Sequence, residues 1–371
     1  MSAKHLTNPL ATVDQLYRRR TFSALPTDLQ DAIFFSTQRL TQAAGLLLRL
    51  PQSVTAQASV VLARYWVGME EEALLRDEFS DVSAASLFLV AKLSSHPCRP
   101  RDICNVYAYL LSPSCPLSRS KSKSSSSSAQ PEDEPPPPPE SYYLSESAYG
   151  AQVSRILSIE GQILYTLGFD THVALPHGLA VTYLQALDFC SSNSRIENIT
   201  RHRHKITSRV IAYLNTALLS PQMLYLTHQP NALAVAAIYS AVRDADDTNT
   251  HPNSNNNNNT HDTVEKKDIE TTTTATRPPD CAWWEVFDVD REELGFLVVA
   301  MRSLEGIVRK LQRDVPDFCS PGHGVFARKH VEASLVRRGL SLKYRNGGAE
   351  LDEEVEAMMR SMDQRAEAME E

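Results

Sequence analysis

The sequence predicts an all-α protein built from two tandem helical units. Three observations carry that expectation. The stretch Leu40–Trp66, LTQAAGLLLRLPQSVTAQASVVLARYW, reads as the end of one helix, a proline start and a second apolar helix. Composition agrees: 13 glycines and 7% aromatics in 371 residues fit helices better than a sandwich or a Rossmann sheet. The third observation is a partial repeat. AASLFLVAK, ending at Lys92, is echoed by AAIYSAVR, ending at Arg243, and IEGQIL around Glu160 by LEGIVR around Glu305. The echoes keep their order about 150 residues apart, as a duplicated unit requires.

The elements follow in order. Leu29–Leu48 is a first helix. Pro51 suits a helix start, and Val54, Ala58, Val61, Leu62, Tyr65 and Trp66 then share a face. Asp81–Ser94 is rich in small residues and apolar on most sides, which predicts a central helix packed all round. Pro100 opens a fourth helix that runs through Val106 to Leu111. The fifth carries Val153, Ile156, Leu157, Leu164 and Leu167 on its stripe, and Gly168 closes it. The second unit opens after Leu175–Pro176, with helices expected near His177–Phe189, Thr200–Leu219, Asn231–Arg243, Trp283–Phe287 and Glu292–Leu311.

Two low-complexity blocks interrupt this pattern. Ser118–Glu140 (SRSKSKSSSSSAQPEDEPPPPPE) and Asp244–Pro279, with its Asn and Thr runs, cannot bury apolar area and read as disordered insertions in loops. Arg328–Arg345 is basic, with six Lys and Arg against Glu332. Ala349–Glu371 has nine acids against two arginines and holds nearly all of the net charge of −8. The body is close to neutral, which speaks against a nucleic-acid binder. The six cysteines form no C-x-x-C pair and read as buried thiols in a reducing compartment. No apolar run reaches the roughly 18 residues that span a bilayer, so no membrane association is expected.

No catalytic constellation emerges. G-x-S-x-G, P-loop, H-E-x-x-H and kinase signatures are absent from the sequence. His202 and His204 sit among cations that repel a metal, and Asp288 and Asp290 read as caps before a helix. Two charges do break the apolar pattern of the first unit. Lys92 shares a helical face with Ala85 and Leu89, and Glu160 shares one with Ile156, Leu157 and Leu164. They are either a snorkelling lysine and a partly exposed glutamate, or an ion pair between adjacent helices near a binding surface. Phe169, after Gly168, is either a core-facing helix terminus or an aromatic anchor for a partner.

Several segments then match one family in the right order. TQAAGLLLRLPQ (Thr41–Gln52), KLSSHPCRPRDICNV (Lys92–Val106), LYTLGFDTHVALPH (Leu164–His177) and QPNALAVAAIYSAVR (Gln229–Arg243) are similar to cyclins, most closely to the cyclin L group of transcription and splicing cyclins. Within that group the chain resembles a fungal-type member with low-complexity insertions. The resemblance covers roughly Leu25–Leu311. It implies two tandem five-helix cyclin boxes, 27–171 and 172–313, with insertions at about 115–142 and 244–279. An N-terminal segment, 1–26, and a basic-then-acidic tail, 314–371, flank them.

The implied role is a nuclear regulatory subunit, not an enzyme, that binds and activates a cyclin-dependent kinase of the transcription and splicing class. RNA polymerase II or splicing factors would be reached indirectly, with no cofactor, metal or direct nucleic-acid contact. The family's kinase-facing positions fall on Lys92, Leu93, Glu160 and Phe169, with Leu89 and Leu164 beside them. Two departures stand out. Ser94 and Ser95 occupy positions where cyclins usually carry acids, and the M-R-A-I-L motif of cell-cycle cyclins is absent. The competing expectation is a cyclin-box protein of transcription-factor or scaffold type that activates no kinase.

Overall fold

The computed structural model describes residues 6–21, 23, 25–69, 76–112, 115, 143–187, 197–250, 282–318 and 326–340. Among them there is no strand. The helices are α1 (Val13–Thr21), α2 (Thr27–Leu47), α3 (Gln52–Gly68), α4 (Phe79–Leu93), α5 (Pro100–Leu111) and α6 (Glu146–Thr166). The second half continues with α7 (Pro176–Ala186), α8 (Glu197–Ala217), α9 (Leu224–Thr227), α10 (Pro230–Thr250), a 3-10 turn at Trp283–Phe287, α11 (Arg291–Asp314) and α12 (Arg328–Arg337). The chain divides into a large unit, Met1–Val331, and a small one, Glu332–Glu371. In the small unit the described residues finish α12 and turn at Gly339, where a φ of 68° suits glycine.

The expected central helix is α4. Every residue from Asp81 to Ala91 is buried, with α2, α3, α5 and α6 around it. Its serines are tolerated because each finds a partner. The Ser83 hydroxyl lies 2.7 Å from Thr41 Oγ1 and 2.6 Å from the Tyr107 hydroxyl, and Ser86 Oγ donates to the Val82 carbonyl at 2.9 Å. Small residues also allow close approach. A Cβ placed on Gly45 of α2 would lie 2.3 Å from Thr55 Oγ1 of α3, so these helices meet backbone to side chain with no slack.

The second half repeats the plan around α10. Its apolar run from Ala232 to Ile238 is buried among α7, α8 and α11. The halves are stitched by polar side chains. Asn215 of α8 accepts from Gln52 Nε2 at 2.8 Å through its side chain and from Gln42 Nε2 at 2.9 Å through its carbonyl, while His177 Nε2 lies 2.9 Å from Asn215 Oδ1. Burial pushes the pKa of His177 down, which keeps the ring neutral at this junction.

Two segments are more ordered than the sequence reading expects, and the N-terminal segment is packed. The block expected to be irregular from Asp244 is helical to Thr250, because Asp244 is held by Tyr213 and Arg302 and Ala245 is buried. The tail expected from position 314 begins inside the core: Val315, Phe318 and Phe326 are buried, and Phe318 packs edge-on against Phe35 of α2 at 5.7 Å. The N-terminal segment is a clasp. Asn8 Nδ2 donates to the Ala174 carbonyl and Asn8 Oδ1 accepts from the Ala174 amide, both at 2.8 Å. Asn8 N donates to Gln229 Oε1 at 3.0 Å, and Arg64 reaches Asn8 Oδ1 at 3.3 Å. One residue, through its side chain and its main-chain amide, thus ties the first half, the connector and the second half together. Ser118–Glu140, the acidic segment from Ala349, and Cys190, Cys281 and Cys319 lie outside the described residues.

Candidate functional site

The site is built where α4 leaves the core and crosses α6. Two ion pairs pin these helices. At the start of α4, Arg155 Nε of α6 donates to Asp81 Oδ2 at 2.8 Å. At its end, the Lys92 ammonium meets Glu160 Oε1. The Glu160 side chain is only 6% exposed, whereas Lys92 is 49% exposed. Lys92 Nζ lies 5.1 Å from the centroid of the Phe88 ring, one turn back on the same helix. Of the two readings left open by the sequence, the interhelical ion pair is the one observed.

Several apolar side chains near the pair in sequence are exposed. Leu93 is 61% exposed, Leu157 49%, Tyr165 84% and Phe169 72%. Leu164 is half-buried between them. Exposed apolar side chains in this number are unusual on a solvated helix face. Leu89 is not among them. At 1% exposure it is a core residue, since α4 is enclosed on all sides three residues before Lys92.

Phe169 is presented by an unusual backbone. Gly168 has a φ of 57° and Phe169 follows with 63°. The Phe169 amide donates to the Leu164 carbonyl at 2.9 Å and the Gly168 amide to Tyr165 at 3.1 Å, which closes α6. Glycine suits that region, and a bulky residue is an outlier there. The turn aims the ring into solvent, so Phe169 is not a core-facing terminus.

The departure at Ser94 and Ser95 has a local cause. Ser94 Oγ donates to the Ala91 carbonyl at 2.8 Å and accepts from the His96 amide at 3.0 Å, so it caps the end of α4. Ser95 is exposed and its hydroxyl lies 3.0 Å from His96 Nδ1. Sequence reading missed Tyr165 and the Asp81–Arg155 pair. Tyr165 had a signal, an aromatic one turn before Phe169 on an exposed helix end. Arg155 had none, because a lone arginine on a helix is ordinary.

The described residues hold no group of three or more metal-ligating side chains, and no described helix is long and apolar enough to cross a membrane. Asp290 is the cap it was expected to be: Oδ1 accepts from the Glu293 amide at 2.7 Å. Cys104 and Cys115 are buried and Cys98 is half-exposed. Burial pushes the Cys104 thiol up to about 11, which makes it inert.

No family model matches the chain. Among curated proteins it is similar to Cyclin-L2 of Homo sapiens, 29% identical over 221 residues, covering 60% of this chain and 35% of the relative. Cyclin-L1 of Gallus gallus is 28% identical over 221 residues, covering 60% and 34%. The cyclin L homologue of Caenorhabditis elegans is 27% identical over 205 residues, covering 55% and 38%. The match thus spans about a third of the length of these relatives. Among solved structures, a chain of the yeast RNA Pol II CTD kinase CTDK-1 complex superposes with a TM-score of 0.52 at 13% identity, covering 90% of this chain and 84% of that one. That likeness concerns the fold alone.

Proposed function

We propose that this chain, cyclin L-like in sequence, is a nuclear regulatory subunit whose first cyclin box, 27–171, docks a cyclin-dependent kinase. The kinase would act in RNA polymerase II transcription, pre-mRNA processing or both. One observation carries the reading: a pre-formed Lys92–Glu160 pair, with Leu93, Leu157, Tyr165 and Phe169 exposed on the same two helices and the turn that closes α6. An enzyme has no need of such a face, whereas a protein that grips another protein does.

The mechanism follows from the face. A kinase is active when a Lys–Glu pair and a magnesium-binding Asp are aligned, and its mobile αC helix controls that alignment. A rigid partner surface that binds only the inward position of that helix shifts the population toward it. Leu93, Leu157 and Phe169 supply apolar area for that contact. Lys92 supplies a cation whose position is fixed beforehand by Glu160. The chain adds no catalytic group of its own.

A second reading is favoured by Ser94 and Ser95, which offer no negative charge beside Lys92. Under it the chain holds a kinase without activating it. The test for both is purification of the tagged chain from its own cells, with bound kinases identified by mass spectrometry and assayed for stimulated phosphorylation. Stoichiometric kinase lost from a Lys92→Glu, Glu160→Lys variant supports docking at this face. Kinase retained without stimulation supports the scaffold. No kinase in either sample defeats both.

A further inference from the structure

Duplication gives the chain a second groove. In the first half the crossing helices are α4 and α6. Their counterparts in the second half are α10 and α11, and Arg243 stands where Lys92 stands in the repeat. This groove contains a cavity of about 620 Å³, lined by Tyr239 and Arg243 of α10, Trp284 of the 3-10 turn, and Arg291, Val299 and Arg302 of α11. Ligand sites occupy roughly 300–1,000 Å³.

The charges are arranged differently from those of the first groove. Arg302 pairs with Asp244 Oδ1, and the other oxygen of Asp244 accepts from the Tyr213 hydroxyl at 2.6 Å. Glu305, the counterpart of Glu160, is drawn 2.5 Å from Arg309, one turn along its own helix and exposed. That leaves Arg243 without a carboxylate partner among the described residues. It lies over the Tyr239 ring, 5.9 Å from the centroid. Among the described residues Arg291 has no carboxylate partner either, and Glu285 is the one acid lining the cavity. The Trp284 indole N–H is shielded from solvent and has no acceptor among the described residues. The groove therefore offers two uncompensated guanidinium groups and an unmet donor, which an acceptor-bearing anion satisfies.

The apolar surroundings narrow the class of occupant. Val286 of the 3-10 turn and Val299 of α11 are exposed on the elements that line the cavity, so apolar surface accompanies its cations. An occupant that covers it must be longer than a small molecule. A nucleic-acid backbone is disfavoured, because among the described residues the lining offers only Arg243 and Arg291 as unpaired cations, too few to grip a repeating phosphate backbone but enough for a short acidic segment. We propose that the α10–α11 groove docks an acidic, apolar-anchored linear peptide of a partner protein. Its carboxylates pair with Arg243 and Arg291, and its apolar side chain packs against Trp284 and Val299. The site is separate from the α4–α6 face and does not depend on the kinase reading.

The test uses the purified full chain and fluorescence polarisation. The probes are a positional library of labelled nonapeptides bearing two glutamates and one to three Leu, Phe or Trp side chains. Expected is at least one binder that weakens about tenfold or more in the Arg243→Ala, Arg291→Ala variant and with glutamine in place of its glutamates. Val299→Asp, at an exposed position, should weaken it similarly with the melting temperature unchanged, whereas Lys92→Glu, Glu160→Lys should not affect it. No library member binding more tightly than about 1 mM, or binders indifferent to both groove variants, overturns the proposal. So does a single-stranded RNA 20-mer that binds through Arg243 and Arg291 while the peptides do not.

Discussion

Replacing Phe169 by glycine is expected to separate binding from folding. The native φ of 63° puts Phe169 in the left-handed region. An L side chain there costs about 1–2 kcal/mol, which glycine avoids. Little burial is lost in exchange. The ring is 72% exposed, and a fully buried side chain of this kind contributes roughly 1.5–3 kcal/mol, so the covered quarter contributes about 0.4–0.8 kcal/mol. The greater freedom of glycine in the unfolded chain opposes folding by about 0.4–1 kcal/mol. These contributions nearly cancel, and urea unfolding of the isolated chain should give a stability within about 1 kcal/mol of wild type. Binding should respond very differently. Truncating an aromatic anchor at the centre of an interface costs about 2 kcal/mol or more, which is roughly 30-fold in Kd. The assay is a calorimetric titration with the kinase that co-purifies with the chain. A glycine variant that binds as wild type refutes the anchor. One that loses more than about 2 kcal/mol of stability shows instead that the ring holds the fold.

Three further outcomes are expected. Lys92→Glu sets a second carboxylate against the buried Glu160 and should lower stability by about 1–3 kcal/mol, less than for a fully buried pair because Lys92 is half-exposed. The swap Lys92→Glu, Glu160→Lys should restore most of it without restoring kinase binding, and unchanged co-purification in both variants would remove the pair from the docking face. Gly45→Ala should cost about 1–3 kcal/mol in denaturant unfolding, because the new methyl meets Thr55 at 2.3 Å, and adding Thr55→Ala should recover part of that. Asn8→Ala removes the paired bonds to Ala174 and the acceptor for Arg64, which predicts about 1–3 kcal/mol of destabilisation and faster proteolysis of the N-terminal segment. An unchanged cleavage rate would show that the clasp is dispensable.

The parts of this structure that were legible in the sequence are those where local pattern and tertiary environment agree. α4 was legible because a helix apolar on all sides has nowhere to go but the centre. Lys92 and Glu160 were legible because a charge on an apolar stripe is anomalous. Depth along a face was not legible. Leu89 shares the face of Lys92, yet three residues separate a core position from a surface one, since helical period gives direction and not distance from solvent. Asp244 opens a polar stretch that reads as loop, but Arg302 and Tyr213 supply partners that hold it helical, and both lie on other elements. Asn8 left no local signal. Its partners are 166 and 221 positions away, and a single asparagine outside any periodic segment says nothing of them.

The two grooves show how a duplicated unit can diverge with few changes. In the first, the acid is buried on α6 and the base stands half-exposed on α4, so one charge is fixed before any partner arrives. Ordering a long side chain on binding costs roughly 0.5–1.5 kcal/mol, and a lysine already held by Glu160 avoids part of that. In the second groove the acid moves onto α10 as Asp244 and the fixed base becomes Arg302, while Arg243 has no carboxylate partner among the described residues. The first half thus has two ion pairs across its crossing helices, and among the described residues the second has the Arg302–Asp244 pair. The position next to such a pair decides what the groove offers: Leu93 makes the first groove apolar beside its cation, and Arg243 makes the second one cationic beside its aromatics. A partner selected by one groove has no reason to fit the other.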